Sequence, residues 1–424
     1  MHHIYSQDRH SIDPSAIGIN ALKVVKRLTS AGYHAYLVGG SVRDLLLDKH
    51  PKDFDVATDA HPEEVRHLFR NSRLIGRRFR IVHVRFGREI IEVATFRAHH
   101  DRDSHESSHA KSGLILDDNV YGSFDEDVQR RDFTINALYY QADDGSVYDH
   151  VGGMDDLHNA IIRLIGDPET RFREDPVRML RAVRFAAKLD FDIAPETIRP
   201  VKRLSFLMKD VAPARLYEEV LKLLMMGSGE STFVLLKDHG LVDWLFPDTA
   251  RCLQDPVCES LIMSALQSTD RRIREQLPVT PAFLYAALLW HPVLRRSQSL
   301  QERGSSPLSS LHAAAVEVIS KQQMFTSIPR RISVPMKEIW DLQLRLAKRG
   351  GKRAHALVSH RRFRAAYDFL LLRGDVGEVS HDLGSWWTEF QEQDADGRRE
   401  MQQALQPTGK KRRRRRKTTA SKPT

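Results

Sequence analysis

The stretches LVGGSVRDLLL (residues 37–47) and KDFDVATD (residues 52–59) decide how this chain is read. In the second, Asp53 and Asp55 flank one phenylalanine inside a run patterned like a buried strand. Side chains two apart on a strand share a face, so Asp53, Asp55 and Ala57 point one way while Phe54 and Val56 point the other. In the first, Gly39-Gly40 joins the short apolar strand AYLV (residues 35–38) to a helix whose Ser41 and Asp44 stand at capping-box spacing. A glycine pair opening a helix offers bare N–H groups and a positive dipole end to phosphate oxygens, and Arg43 adds a charge one turn in. Each feature alone is ordinary: Asp-x-Asp at a strand end is often a cap or a loop acid, and Gly-Gly is often a tight turn. Within about 15 residues of each other they argue jointly for nucleoside triphosphate chemistry.

The neighbouring segments supply a frame. Asp13-Pro14 opens an amphipathic helix that stops at Gly32, and HPEEVRHLF (residues 61–69) reads as a helix with Pro62 at its start. FRIVHVRF and EIIEVATF, around the turn Gly87-Arg88, read as a hairpin. In EIIEVATF the alternation puts Glu92 on a face with Ile90 and Ala94, a costly place for an unpaired acid. Three carboxylates on adjacent strands repel one another unless a divalent cation neutralises them, and such oxygen ligands suit magnesium. The chemistry this predicts is nucleotidyl transfer with two metal ions: one lowers the pKa of an attacking hydroxyl, and the other, shared through Asp53 and Asp55, holds the triphosphate and the departing pyrophosphate.

Helices alternating with strands up to a closing hairpin, then helices alone from Asp167 to about Trp387, predict an α+β chain: a mixed sheet with helices, followed by all-α regions. Between 99 and 127 the apolar rhythm stops. There HHDRDSHESSHAKSG reads as a mobile loop over an active site, with a metal site on His99, His100, His105 and His109 as the competing reading. From 391 onward the chain is polar and expected to be disordered.

At 424 residues and 41% hydrophobic content the chain holds about two to four domains with a sizeable core. Cys252 and Cys258 are too few for a disulfide framework and read as reduced core thiols, which makes the cytoplasm the default compartment. Nothing resembles a membrane span or an apolar signal core. Against a net charge of +9, the run Lys410, Lys411, Arg412, Arg413, Arg414, Arg415, Arg416, Lys417 carries eight cations, so the rest is close to neutral. Such a run condenses onto a polyanion with release of its counterions, and a nucleic-acid-binding arm is expected ahead of a merely solubilising tail.

Four segments, LVGGSVRDLLL, DFDVATD, RRDFTINALYY and REDPVRMLRAVRFAAKLDF, in this order and spacing, resemble the class II template-independent RNA nucleotidyltransferases, which comprise tRNA CCA-adding enzymes and bacterial poly(A) polymerases. The resemblance implies a polymerase beta-like nucleotidyltransferase domain with helical neck, body and C-terminal regions. It makes Asp53 and Asp55 the metal-binding aspartates and Glu92 the third catalytic carboxylate, with Gly39, Gly40 and Arg43 at the triphosphate. Arg131, Asp132 and Asn136 would hold the sugar, where a carboxylate accepting from a 2′-OH tells ribose from deoxyribose. Asp175 and Arg178 would read the base, with Arg181 and Arg184 continuing that helical face. A carboxylate that accepts beside a guanidinium that donates complements adenine and cytosine and refuses guanine and uracil. Arg215 with Glu218 reads as an i,i+3 helix brace.

Three features favour the poly(A) polymerase branch: LIGRRFRIVHV (residues 74–84) with Arg77-Arg78-Phe79, the basic helical segment of residues 342–373, and the arginine tail. The implied reaction is addition of AMP from ATP to RNA 3′ ends with magnesium, manganese being a substitute. The alternatives are a CCA-adding enzyme and a non-catalytic RNA-binding member. The expected division is 1–30 N-terminal helix, 31–160 catalytic, 161–230 base-reading neck, 231–390 RNA-binding body and C-terminal domain, and 391–424 basic tail. Expected partners are mRNA fragments, small RNAs, tRNA and RNA-decay proteins, with no membrane and a monomeric chain.

Overall fold

The computed structural model describes residues 3–76, 80–98 and 120–405. It divides into two units: Met1–Leu253 with Leu266–Pro281 and Ile319–Ile328, and Gln254–Ala265 with Ala282–Val318 and Pro329–Thr424. Arg77, Arg78, Phe79, the histidines of the 99–119 segment and the cations from Lys410 to Lys417 lie outside the described residues.

The first unit is built on an eight-stranded mixed sheet: β1 (His3–Tyr5), β2 (Ala35–Val38), β3 (Asp55–Thr58), β4 (Ser72–Ile75), β5 (Ile81–Phe86), β6 (Glu89–Thr95), β7 (Leu138–Tyr140) and β8 (Val147–Asp149). Their order is β1-β8-β7-β2-β3-β6-β5-β4, with β3 and β6 parallel and every other pair antiparallel. The predicted hairpin is β5–β6, turning at Gly87 with φ +65°, a conformation glycine adopts without steric cost. The flanking strands β1, β4, β7 and β8 carry too short a pattern to have been read from the sequence.

Helices α1 (Ile19–Ser30) and α3 (Pro62–Leu68) pack on one face of this sheet, where Leu37, Val56 and Val93 are buried. The register Val38↔Asp55↔Glu92 puts both carboxylates on the opposite face. Helix α2 (Gly40–Leu46) starts directly from β2, and α4 (Phe124–Arg130) is opened by Ser123 and Glu126 in a reciprocal capping box. Residues 124–127, expected to be loop, are therefore helical. After α5 (Gly153–His158) come α6 (Pro168–Glu174) and α7 (Val177–Leu189), separated at Asp175-Pro176 because proline has no N–H to continue the helix.

Two further expectations are corrected. Asp53 lies in a bend, and the strand begins only at Asp55. Glu92 is not a buried acid: its side chain is 49% exposed and stands 3.2 Å from His83 Nε2, because β6 lies beside only the short hairpin strand β5 on that side.

The second unit is helical throughout its described residues, and disorder does not begin at 391: Asp394 caps a helix at Ala395–Ala404. Its core holds a buried polar hub. Glu378 accepts from Trp290 Nε1 (2.9 Å to Oε1) and from Arg373 Nε and Nη2 (3.0 and 2.9 Å). Arg373 also donates to Gln343 Oε1 (3.0 Å), and its guanidinium lies 4.6 Å from the Trp290 ring centre. His291 Nε2 stands 3.7 Å from the same carboxylate, and burial holds that imidazole below its ordinary range.

Candidate active site

On the Asp55 face of the first unit, Gly39, Gly40, Arg43, Asp55, Arg131, Asp132, Asn136, Asp175, Arg178, Arg181 and Phe185 line a single cleft of about 360 Å³. Ten of these are residues singled out above; Phe185 is new. Four separate stretches of chain meet there: the β2–α2 turn, the start of β3, the segment after α4, and the α6–α7 junction with α7 itself.

Gly39 has φ +79°, and a Cβ built on it would stand 3.7 Å from Asp55 Oδ2, so the turn keeps open the space in front of that carboxylate. Asp55 accepts no hydrogen bond from a described residue. Burial, then the Glu92 charge, push its pKa up to about 6; Asp53 adds to the rise and Arg131 opposes it. This is a carboxylate set that a hard divalent cation would relieve. Among the described residues no three His, Cys, Asp or Glu side chains converge to hold a metal by themselves. The three-carboxylate site expected of Asp53, Asp55 and Glu92 is therefore not assembled here, and Asp55 is the one of them that lines the cleft.

The other charges are braced. Arg43, 2% exposed, donates to Asn136 Oδ1 (2.7 Å) and to Asp44 Oδ1 (2.6 Å). Asp132 Oδ1 accepts from Phe133 N (2.8 Å) and Asn136 Nδ2 (3.3 Å), while Oδ2 accepts from Arg181 Nε (2.6 Å). Burial raises the Asp132 pKa, but Arg181 and these hydrogen bonds outweigh it, and the group stays an anion below its ordinary range. Arg131 donates to Tyr139 Oη (2.5 Å) and Asp127 Oδ2 (2.9 Å). Phe185 is the common floor, with the guanidinium carbons of Arg43, Arg181 and Arg184 at 5.3, 5.6 and 4.8 Å from its ring centre.

At the α6–α7 junction Arg215, on the helix Pro213–Leu224, grips Asp175 in a bidentate pair, Nη1 to Oδ1 at 2.9 Å and Nη2 to Oδ2 at 2.7 Å. This corrects the reading of Arg215 as a brace for Glu218: its partner is 40 residues away in sequence. Arg178 is held in turn by Glu174 Oε2 (2.9 Å) and the Arg171 carbonyl (2.8 Å). Asp53, Glu92 and Arg184 do not line the cleft. Arg130, which precedes the cleft residue Arg131, is pushed down to about 9 by burial and then by the charges of Arg97, Arg171 and Arg178.

Three family models match the chain: the poly A polymerase head domain at 35–163, the "probable RNA and SrmB-binding site of polymerase A" at 190–253, and the polymerase A arginine-rich C-terminus at 303–420. Poly(A) polymerase I of Salmonella typhimurium is 51% identical over 397 residues, covering 92% of this chain and 85% of its own length. The protein of the same name from Haemophilus influenzae is 44% identical over 411 residues, covering 94% and 91%. The crystal structure of the Bacillus stearothermophilus CCA-adding enzyme in complex with CTP is similar with a TM-score of 0.59 at 25% identity, over 91% of this chain and 82% of that one. Fold and cleft thus define a template-independent nucleotidyltransferase, of the class that includes CCA-adding enzymes. Within it, the chain belongs to the bacterial poly(A) polymerase I family and is a polynucleotide adenylyltransferase acting on RNA 3′ ends.

Proposed function

We propose that this cleft joins the 3′-hydroxyl of an RNA to the α-phosphorus of ATP, breaking the bond to the β-phosphate so that pyrophosphate leaves and AMP is added without a template. The observation that carries this reading is the meeting of the Gly39-Gly40 turn, Asp55, Asp132 and the Asp175/Arg178 pair in one cavity. The turn and Arg43 receive the triphosphate. Asp55, with Asp53 just before the strand, would hold magnesium, or manganese in its place, and the metal would supply charge neutralisation and an activated hydroxyl. Asp132, fixed by Arg181 and Asn136, accepts from the ribose 2′-OH. Asp175 and Arg178 face the base edge; with one clamped by Arg215 and the other by Glu174, the acceptor–donor order that admits A and C is preset. Glu92 acts on the site through its charge on Asp55.

Residues 31–160 serve as the catalytic domain, 161–230 as the base-reading neck, and 231–390 with the basic tail as the RNA-binding part. The substrates are mRNA fragments, small RNAs and tRNA, and adding a tail promotes their decay in the cytoplasm. A monomer suffices, since one chain supplies every cleft residue. No helix among the described residues is long and apolar enough to cross a membrane.

The deciding experiment is primer extension with magnesium and each nucleoside triphosphate in turn, comparing an unstructured RNA with a tRNA lacking its 3′ CCA. A long ladder of A on both, with little use of CTP, is expected. Two C and one A added to the tRNA alone, followed by arrest, would instead identify a CCA-adding enzyme.

The Asp55 proton predicts a metal dependence. Below about pH 6 a cation must displace this proton, so half-saturating magnesium should rise about fivefold between pH 6 and pH 5. A half-saturation point that stays constant over that range would locate the metal away from Asp55.

A further inference from the structure

The same sheet face carries a second cavity, of about 510 Å³, whose lining includes Ile4, Tyr36, Asp59, Phe124, Tyr148 and His150. Pairing along the chain Val38↔Tyr139↔Tyr148↔Ile4 puts Tyr148 and Ile4 on the Asp55 face, and Tyr36 joins them two residues before Val38. Asp55 begins β3 and Asp59 follows its end, so the two cavities sit at opposite ends of that strand, about 13 Å apart at 3.3 Å per residue. Helix α4 links them: Phe124 and Asp125 in its first turn line this cavity, and Arg131 just past its end lines the catalytic cleft.

Three half-buried rings form the wall. Their centres lie 5.1 Å apart for Tyr36 and Phe124, 5.5 Å for Tyr36 and Tyr148, and 6.2 Å for Phe124 and Tyr148, all tilted or edge-on. Ile4 beside them is 56% exposed. Neither the Tyr36 nor the Tyr148 hydroxyl bonds to a described residue. Asp59 accepts only from the backbone N–H of His34 (2.8 Å), and no guanidinium or ammonium among the described residues faces it. Asp125 meets His150 Nδ1 at 2.8 Å.

Among the described residues no lysine or arginine lines the cavity, in contrast to the catalytic cleft, where Asp132 and Asp175 are both bound by guanidinium groups. Aromatic faces beside an uncompensated carboxylate complement a planar cation, which stacks on the rings while donating to the acid. RNA fits poorly, because Asp59 repels phosphate and no lysine or arginine among the described lining residues replaces its counterions. We propose that this cavity is a docking site for an arginine side chain presented by a segment of another protein.

The test uses the full chain and a fluorescein-labelled Gly/Ser peptide bearing two arginines, with a control in which citrulline replaces both. Fluorescence anisotropy should show the arginine peptide binding at least tenfold tighter than the citrulline peptide. Asp59→Asn, which keeps an acceptor for His34 N, and Tyr148→Leu, which keeps bulk without the ring, should each weaken the arginine peptide about tenfold. Asp59→Asn should keep the wild-type melting temperature, Tyr148→Leu should still melt cooperatively at a somewhat lower temperature because its ring packs on Tyr36 and Phe124, and both should keep the wild-type rate of AMP incorporation. Equal affinity for the two peptides, or affinity unchanged in both variants, overturns the proposal. So does absence of binding, whether the cavity stays empty or is filled by the chain's own residues 410–417. Labelled oligo(A) that loses affinity in these variants while the arginine peptide does not would make it an RNA site and overturn the proposal as well.

Discussion

Asp55→Asn is expected to lower AMP incorporation by about 10³-fold or more while raising the melting temperature of the metal-free protein at pH 7.5. The first effect follows from loss of a charged oxygen ligand at the one cleft carboxylate that has no guanidinium partner and no hydrogen bond from a described residue. The second follows from the same isolation. The Asp55 pKa is raised from 3.8 to about 6 by burial and by Glu92. Between those values the folded state keeps a proton that the unfolded chain has lost, so stability falls as pH rises through the window, and the penalty is fully present above pH 6. A shift of this size corresponds to about 3 kcal/mol at most, or about 5 °C. Asparagine removes the penalty. Melting curves in EDTA at pH 4 and pH 7.5 should therefore show no difference between wild type and variant at the lower pH and a stabilised variant at the higher. A variant that stays active, or that melts below wild type at pH 7.5 without metal, would refute the metal-ligand role.

Glu378→Leu is expected to destabilise the second unit by about 3–5 kcal/mol, because it strips the counter-charge from a buried guanidinium. Arg373 is 9% exposed and directs three of its hydrogen-bonding contacts to Glu378 and Gln343, so loss of the carboxylate leaves a largely desolvated guanidinium without its counter-charge. Trp290 Nε1 loses its acceptor in the same change. On the scale of a unit this size the loss is about 10 °C in the transition that reports it. The double variant Glu378→Leu/Arg373→Met should recover most of that loss, since an apolar pair of similar volume avoids the desolvation that a lone charge suffers. Equal melting of the single and double variants would show that the cost lies in packing around Trp290 and not in the unpaired charge.

Features set by neighbouring residues were legible in the sequence. Alternation in residues 52–59 and 89–96, the Gly39-Gly40 turn into a helix, and Pro62 at a helix start each reflect backbone sterics and hydrogen bonding over a few residues. Ten of the eleven residues that line the cleft were also singled out from the sequence, because glycine pairs before a helix and closely spaced acids and arginines are visible as local patterns. The ends of elements were less legible: Asp53 falls just outside its strand, and the helix Ala395–Ala404 runs through a stretch polar enough to be read as disordered.

Which residue holds which was decided only by the tertiary structure. Arg43 meets Asn136 across 93 residues, Arg181 meets Asp132 across 49, and Arg215 meets Asp175 across 40, so no local spacing distinguishes these partners from other arginines and acids. Glu92 was expected to be buried because alternation shows the face a side chain takes but not whether anything covers that face. The aromatic cavity beside Asp59 gathers residues from β1, β2, β8 and α4, and it exists only because strand order makes them neighbours. A sequence specifies its local geometry through contacts a few residues long, whereas charge pairing and exposure depend on which elements the core packs side by side.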